Sequence, residues 1–139
     1  MVNYIFKVSL SNDVFRKIVI SSKYTLEDFH FAILNTYEFL EDTHLYSFYM
    51  DGKKYSNNYY NSSMGEEGPF TDEAIIGKLD LYIGQKILYL FDYGECWEFS
   101  VVLNDIKSDK IKLSNPLVVE SVGVAPIQYV NDDYYYYYY

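Results

Sequence analysis

Hydrophobic and polar residues alternate in two short stretches at the start of the chain, over residues 4–10 and 14–20. Alternation with a period of two places one apolar row on a single face of a β-strand. The three residues between the stretches, Ser11, Asn12 and Asp13, are typical turn formers. The pattern therefore predicts a β-hairpin.

A second period, of three and four residues, follows directly after the hairpin. It places on one helical face the apolar side chains of Leu26, Phe29, Ile33, Tyr37 and Leu40. This spacing predicts an amphipathic helix, and Thr25 with the acidic residues after it is typical of a helix start. We expect the helix at about residues 26–39, lying across a sheet.

Strand patterns return in the second half of the chain. The predicted strands cover residues 46–50, 86–92, 97–103 and 116–122, the last of them as an edge strand. Residues 78–82 predict either a short helical turn or a strand. Residues 56–71 are rich in Asn, Ser, Gly and Glu, and we expect a long loop there that is either mobile or functional.

These elements predict an α+β fold in the order β-β-α-β-(β)-β-β, with one main helix packed on a mostly antiparallel or mixed sheet. The opening β-β-α-β order resembles the ubiquitin-like β-grasp fold. The chain has 139 residues, half of them hydrophobic, which suits one core. We expect a single domain over residues 1–130 and a low-complexity tail over residues 131–139.

The charge balance disfavours some partners. The net charge is −9 and Arg16 is the only arginine, whereas DNA binding relies on cations that neutralise phosphates. Nucleic acid is therefore not an expected partner. No apolar run reaches the ~20 residues that span a bilayer, and Cys96 is the only cysteine, so we expect a cytoplasmic protein away from membranes.

Six consecutive tyrosines, residues 134–139, end the chain. One interpretation is a low-complexity tail without a role of its own. The other is an aromatic tail that docks on a partner or adds a strand to a sheet edge, because tyrosine favours strands. Tyr134 and Tyr135 are candidate interaction residues under the second interpretation.

Several segments resemble, in the right order, the plasmid pRiA4b ORF-3-like proteins of bacteria and archaea. They are residues 14–17, 25–30, 42–45 and, most specifically, the motif Asp92-Tyr93-Gly94-Glu95-Cys96-Trp97. The motif is similar to the family's Asp-aromatic-Gly-Asp-x-Trp segment. Phe99 stands where the family often has a histidine. The resemblance bears on the fold and implies no particular reaction or cofactor.

The two histidines, His30 and His44, are the candidates for metal chemistry, together with Asp42 and Asp92. Imidazole and carboxylate both bind zinc and similar ions, but the spacing of these residues matches no metal-binding signature. The alternative for His30 is a hydrogen-bonded, partly buried residue that ties the helix to a loop. We predict no metal site, no cofactor and no catalytic residues.

The turn of the second hairpin allows two interpretations. In the structural one, Gly94 permits a left-handed backbone and Asp92 accepts hydrogen bonds from turn amides. In the functional one, Tyr93 and Glu95 form an exposed acidic and aromatic rim that recognises a basic partner.

The leading hypothesis for function is a non-catalytic module that binds another protein, because tyrosine is abundant and suits interfaces. The alternative is a small, hydrolase-like metal-dependent enzyme that uses the histidines and acids. A weaker alternative is a nucleic-acid-associated protein of mobile elements.

Overall fold

Seven strands and one α-helix make up the protein in this computed structural model, which describes residues 2–40, 44–108 and 113–128. The elements are β1 (Val2–Ser11), β2 (Val14–Ser21), α1 (Leu26–Tyr37), β3 (Tyr46–Tyr49), β4 (Tyr59–Asn61), β5 (Lys86–Phe91), β6 (Trp97–Ser108) and β7 (Leu117–Val122). Two short 3₁₀ helices lie between β4 and β5, at Thr71–Glu73 and Ile76–Lys78.

The strands form one sheet in the order β4-β3-β5-β6-β1-β2-β7, and each ladder between these strands is antiparallel. With a single helix on this sheet, the α+β prediction is confirmed. The β-grasp-like opening is not confirmed: β1 runs antiparallel to both of its neighbours, β2 and β6.

The first hairpin forms as its alternation predicts. Phe6 and Val8 of β1 and Ile18 and Ile20 of β2 are fully buried on one face, while the residues between them are partly exposed. Burial of one face fixes the register, because a shift by one residue would move the whole apolar row to the solvent side.

Helix α1 begins at a complete capping box. The Thr25 hydroxyl accepts the Asp28 backbone N–H, and the Asp28 carboxylate accepts the Thr25 backbone N–H. The helix ends at Tyr37, where Glu38 adopts a left-handed backbone with φ 59°. Leu40 therefore lies beyond the helix and is exposed, so its predicted place in the apolar stripe is wrong.

The helix and the tryptophan-bearing hairpin contribute to one hydrophobic core. The ring of Phe29 lies 4.6 Å from that of Phe6 and 5.9 Å from that of Phe48. After the helix, Phe39 meets Trp97 edge-on at 4.8 Å. Such aromatic pairs add to the free energy gained by burying their area.

Three segments differ from the sequence-based expectation. The predicted loop at 56–71 contains strand β4, which pairs with β3. Strand β6 continues to Ser108 instead of ending near residue 103, because β1 supplies backbone partners along its polar end. Of the predicted helical turn or strand at 78–82, only Lys78 lies in a regular element, the 3₁₀ helix Ile76–Lys78, and residues 79–82 form neither helix nor strand.

Strand β7 lies at the sheet edge, as predicted, and Arg16 holds its end. The Arg16 guanidinium donates to the carbonyls of Phe15 and Val122, each at 2.9 Å. It also lies 4.9 Å from the ring of Tyr37. Burial raises the pKa of Tyr37 to about 12, against the opposing effect of the Arg16 charge.

Candidate functional site

The hairpin loop between β5 and β6 is organised by Asp92. Its carboxylate oxygen Oδ1 accepts the backbone N–H groups of Gly94 and Glu95, at 3.0 and 3.3 Å. Asp92 and Cys96 have left-handed backbones, with φ 63° and 56°. Gly94 is not left-handed, so the expectation that glycine supplies this conformation is wrong. Asparagine and aspartate adopt it more readily than most residues, and here the aspartate does so.

The other carboxylate oxygen of Asp92 faces His44. The distance from His44 Nε2 to Asp92 Oδ2 is 3.5 Å, and the carboxylate is almost fully buried while the imidazole is about one-third exposed. This pair brings together two of the four metal-ligand candidates. A third candidate, Asp42, lies outside the described residues.

The fourth candidate, His30, lies in the core. Its Nδ1 shares a hydrogen bond of 2.5 Å with the Tyr89 hydroxyl, and burial lowers the pKa of the imidazole to about 3. The expected hydrogen bond is present, but the expectations of partial burial and of a link to a loop are wrong. His30 is fully buried and links α1 to strand β5.

The ring of Phe91 contacts both imidazoles, with centroids 5.9 Å from His30 and 5.7 Å from His44. Across residues 2–40, 44–108 and 113–128, no group of three or more His, Cys, Asp or Glu side chains is placed to hold a metal ion.

Tyr93, a predicted interaction residue, is exposed at its ring but anchored at its hydroxyl. The Ser47 hydroxyl donates its hydrogen to Asn61 Oδ1, at a distance of 2.6 Å. Ser47 Oγ therefore acts as the acceptor for the Tyr93 hydroxyl, which lies 2.5 Å away and donates to it. The Asn61 side-chain amide then donates to the Glu67 carbonyl at 2.9 Å. This network connects the hairpin loop to β3, to β4 and to the segment after β4.

Tyr93, Asn61 and Glu67 of this network also line a surface groove of about 840 Å³, which we call the tyrosine groove. It is lined by Leu45, Tyr49, Tyr55, Ser56, Asn57, Tyr59, Asn61, Ser62, Met64, Gly65, Glu66, Glu67 and Tyr93. Ser47 and Tyr49 alternate along β3 with Tyr46 and Phe48, which pack against α1. The groove therefore lies on the sheet face opposite the helix.

The chemistry of the tyrosine groove is aromatic and acidic. Four tyrosines and two glutamates line it, and the lining contains no lysine or arginine. Lys54 Nζ lies beside the groove, 5.2 Å from the ring of Tyr55. The ring of Tyr55, one of the groove residues, therefore already contacts the cation of Lys54.

The sequence did not reveal most of the groove. Tyr55, Tyr59 and the pair Glu66 and Glu67 were not candidates, because their approach to Tyr93 depends on the pairing of β4 with β3. The available signal was the unusual length of the predicted loop at 56–71.

The remaining predicted residues are dispersed. Glu95 is exposed but does not line the groove, and Trp97 is partly buried against the core. Cys96 is a free cysteine whose Sγ lies 3.1 Å from the Tyr93 carbonyl. Tyr134 and Tyr135 lie outside the described residues, so their proposed role in docking stays a prediction.

None of the described helices is both long enough and apolar enough to cross a membrane. The described residues thus form an α+β protein with a polar groove on the open face of its sheet. The chain belongs to the family of plasmid pRiA4b ORF-3-like proteins, whose family model matches residues 3–138. The resemblance found in the sequence motifs is therefore confirmed.

The fold is similar to that of a protein of unknown function from Methanosarcina mazei Go1, seen in a crystal structure. The TM-score is 0.69 at 24% sequence identity, and the match covers 90% of this chain and 71% of that chain. At this identity the similarity establishes the fold alone. No curated protein matches the chain.

Proposed function

We propose that this protein is a non-catalytic interaction module that binds a basic segment of another protein in the tyrosine groove. The observation that carries the proposal is the groove lining, in which four tyrosine rings and two carboxylates occur without a cationic side chain. Lysine and arginine side chains are attracted both to tyrosine faces and to carboxylates.

The anchoring of the groove supports this role. Tyr93 is held through Ser47 and Asn61, so its ring is fixed in place before a partner arrives. A fixed aromatic side chain loses little conformational entropy on binding, and this increases affinity. The exposed Glu95 in the same loop adds negative charge near the groove without lining it.

The same features disfavour the nucleic-acid alternative. Glu66 and Glu67 would repel phosphate groups, and the whole chain carries a net charge of −9. Binding to nucleic acid gains most of its affinity from cations that neutralise phosphates.

The test compares two fluorescently labelled peptides of equal length, one of alternating lysine and serine and one of alternating glutamate and serine. We expect the basic peptide to bind and its affinity to fall as salt is added. The variant with both Glu66→Gln and Glu67→Gln should bind the basic peptide about tenfold more weakly, because it loses two carboxylates.

The matched control carries Asp72→Asn and Glu73→Gln, in the 3₁₀ helix Thr71–Glu73 outside the groove. It changes the net charge by the same amount, so it should bind the basic peptide like the unmodified protein. Equal binding of both peptides, or equal losses in both double variants, would overturn the proposal.

A further inference from the structure

Strand β7 presents a second surface, at the edge of the sheet remote from the tyrosine groove. Its six residues are all exposed, although four are apolar: Leu117, Val118, Val119 and Val122 have exposed fractions of 37–53%. Among the described residues, β7 pairs with β2 alone, so its other edge offers unpaired backbone groups. Edge strands of this kind readily pair with another strand.

The charge distribution points to a second copy of this chain as the partner. Residues 114–128 contain one charged residue, Glu120, in a chain in which 22% of residues are charged. Lys17 of β2 lies 4.0 Å from Glu120 and partly neutralises it. Two copies with a net charge of −9 each repel one another least where their surfaces carry the fewest charges.

The geometry of an antiparallel pair suits this contact. Two β7 strands related by a two-fold axis normal to the sheet present the same residues to each other.

Helix α1 extends the surface beside β7 with apolar residues and with Asp28, whose carboxylate caps the helix. A groove of about 420 Å³ lies between the two elements, with Phe31 and Ala32 on one wall and Val118 on the other. Phe31 of this helix is 49% exposed, although its side chain is apolar. The two-fold axis places both helices on the same face of the joined sheet, so the grooves meet over the new strand pair.

We propose that the protein forms a symmetric homodimer through antiparallel pairing of β7, with Phe31 of each copy covering the junction. Dimerisation has two effects at once. It buries exposed apolar side chains, and it gives hydrogen-bond partners to the backbone groups of β7 that have none among the described residues. The proposal does not depend on the function of the tyrosine groove.

The test measures the molar mass of the full chain by size exclusion with light scattering over a hundredfold range of concentration. We expect a dimer that dissociates on dilution. Val119→Lys should weaken dimerisation by about tenfold or more, because it places two cations in the junction. Tyr82→Lys makes the same charge change at an exposed residue outside β7 and should dimerise normally.

Hydrogen exchange of the unmodified protein provides a readout that does not depend on the folding of a variant. Amides of residues 117–122 should gain protection as the concentration rises. A monomer at every concentration, or a Val119→Lys variant that dimerises normally, overturns the proposal. Protection that is independent of concentration and is lost when residues 131–139 are removed would identify the chain's own tail as the occupant and would also overturn it.

Discussion

The imidazole of His30 lies parallel to the ring of Tyr46, with centroids 3.6 Å apart and planes 7° apart. The Tyr46 hydroxyl in turn shares a hydrogen bond of 2.7 Å with Thr71 Oγ1. A polar side chain is therefore stacked and hydrogen-bonded in the middle of an aromatic core. The arrangement requires a neutral imidazole, since burial disfavours the charged form.

The first prediction concerns acid stability. Burial lowers the pKa of His30 from 6.5 to about 3, so the unfolded chain binds a proton between these values while the folded protein does not. The free energy of unfolding should therefore fall as pH drops below 6.5, and His30 should account for about 2 kcal/mol of the loss at pH 5. Urea unfolding at several pH values measures this contribution.

The comparison variant is His30→Phe, which keeps a ring beside Tyr46 but cannot titrate. Its free energy of unfolding should depend less steeply on pH, whatever its value at neutral pH. Ile33→Val, a fully buried position on the same helix, controls for destabilisation alone and should keep the original slope. Equal slopes for His30→Phe and the unmodified protein would contradict the prediction.

The second prediction concerns Asp92. Asp92→Ala should lower the free energy of unfolding by about 3 kcal/mol, because it removes the acceptor of two loop amides and forces alanine into a left-handed backbone. Asp92→Asn keeps an acceptor and tolerates this backbone, so its effect should be clearly smaller. Chemical denaturation of both variants gives the comparison, and similar losses would argue against this role for the side chain.

The third prediction concerns Tyr93. Tyr93→Phe removes the hydroxyl that donates a hydrogen bond to Ser47 Oγ, so the hairpin loop loses one of its contacts with the sheet. The free energy of unfolding should fall by about 1 kcal/mol, and the amides of residues 93–96 should exchange faster. Tyr82→Phe, at an exposed turn tyrosine, is the control and should change neither quantity. Unchanged exchange in Tyr93→Phe would show that the hydroxyl does not fix the loop.

The fourth prediction concerns Gly123, which follows β7 with φ 81°. A Cβ there would lie 2.1 Å from the Asp13 carbonyl oxygen, so Gly123→Ala must displace backbone. Gly84 has a similar φ of 91° but no heavy atom within 4 Å of its potential Cβ. Gly84→Ala should therefore cost about 1–2 kcal/mol for the backbone alone, and Gly123→Ala should cost clearly more. Thermal unfolding of the two variants measures the difference between their losses of stability. Equal losses would show that β7 can move away from Asp13 without cost.

The first hairpin and the helix were predictable because each buries one face along several residues. The alternation around Phe6 and Ile18 and the helical spacing from Leu26 to Tyr37 are local patterns. The local pattern shows which face of each element is buried, although the residues that cover that face come from distant elements. The end of the helix was less predictable, because Leu40 continues the apolar spacing after Glu38 has left the helical conformation.

The candidate site was less predictable because long-range pairing creates it. The strand Tyr59–Asn61 has only three residues among turn-forming neighbours, so no period could be recognised. The hydrogen bonds that join Tyr93 to Ser47 and Asn61 connect segments up to 46 residues apart. The helical period places His30 one turn after Leu26, at or beside the buried face, but it does not encode the stacking of His30 on the distant Tyr46.

The order of the strands places β4, with the tyrosine groove, and β7, with the free edge, at opposite ends of the sheet. Neighbouring strands lie about 4.8 Å apart, so two copies joined at β7 would hold their grooves at most about 60 Å apart across the twisted sheet. A ligand with two basic segments at that spacing would gain avidity from simultaneous binding without any new contact. In such a dimer, the order of the strands would set the spacing that the two basic segments of a bivalent partner must match.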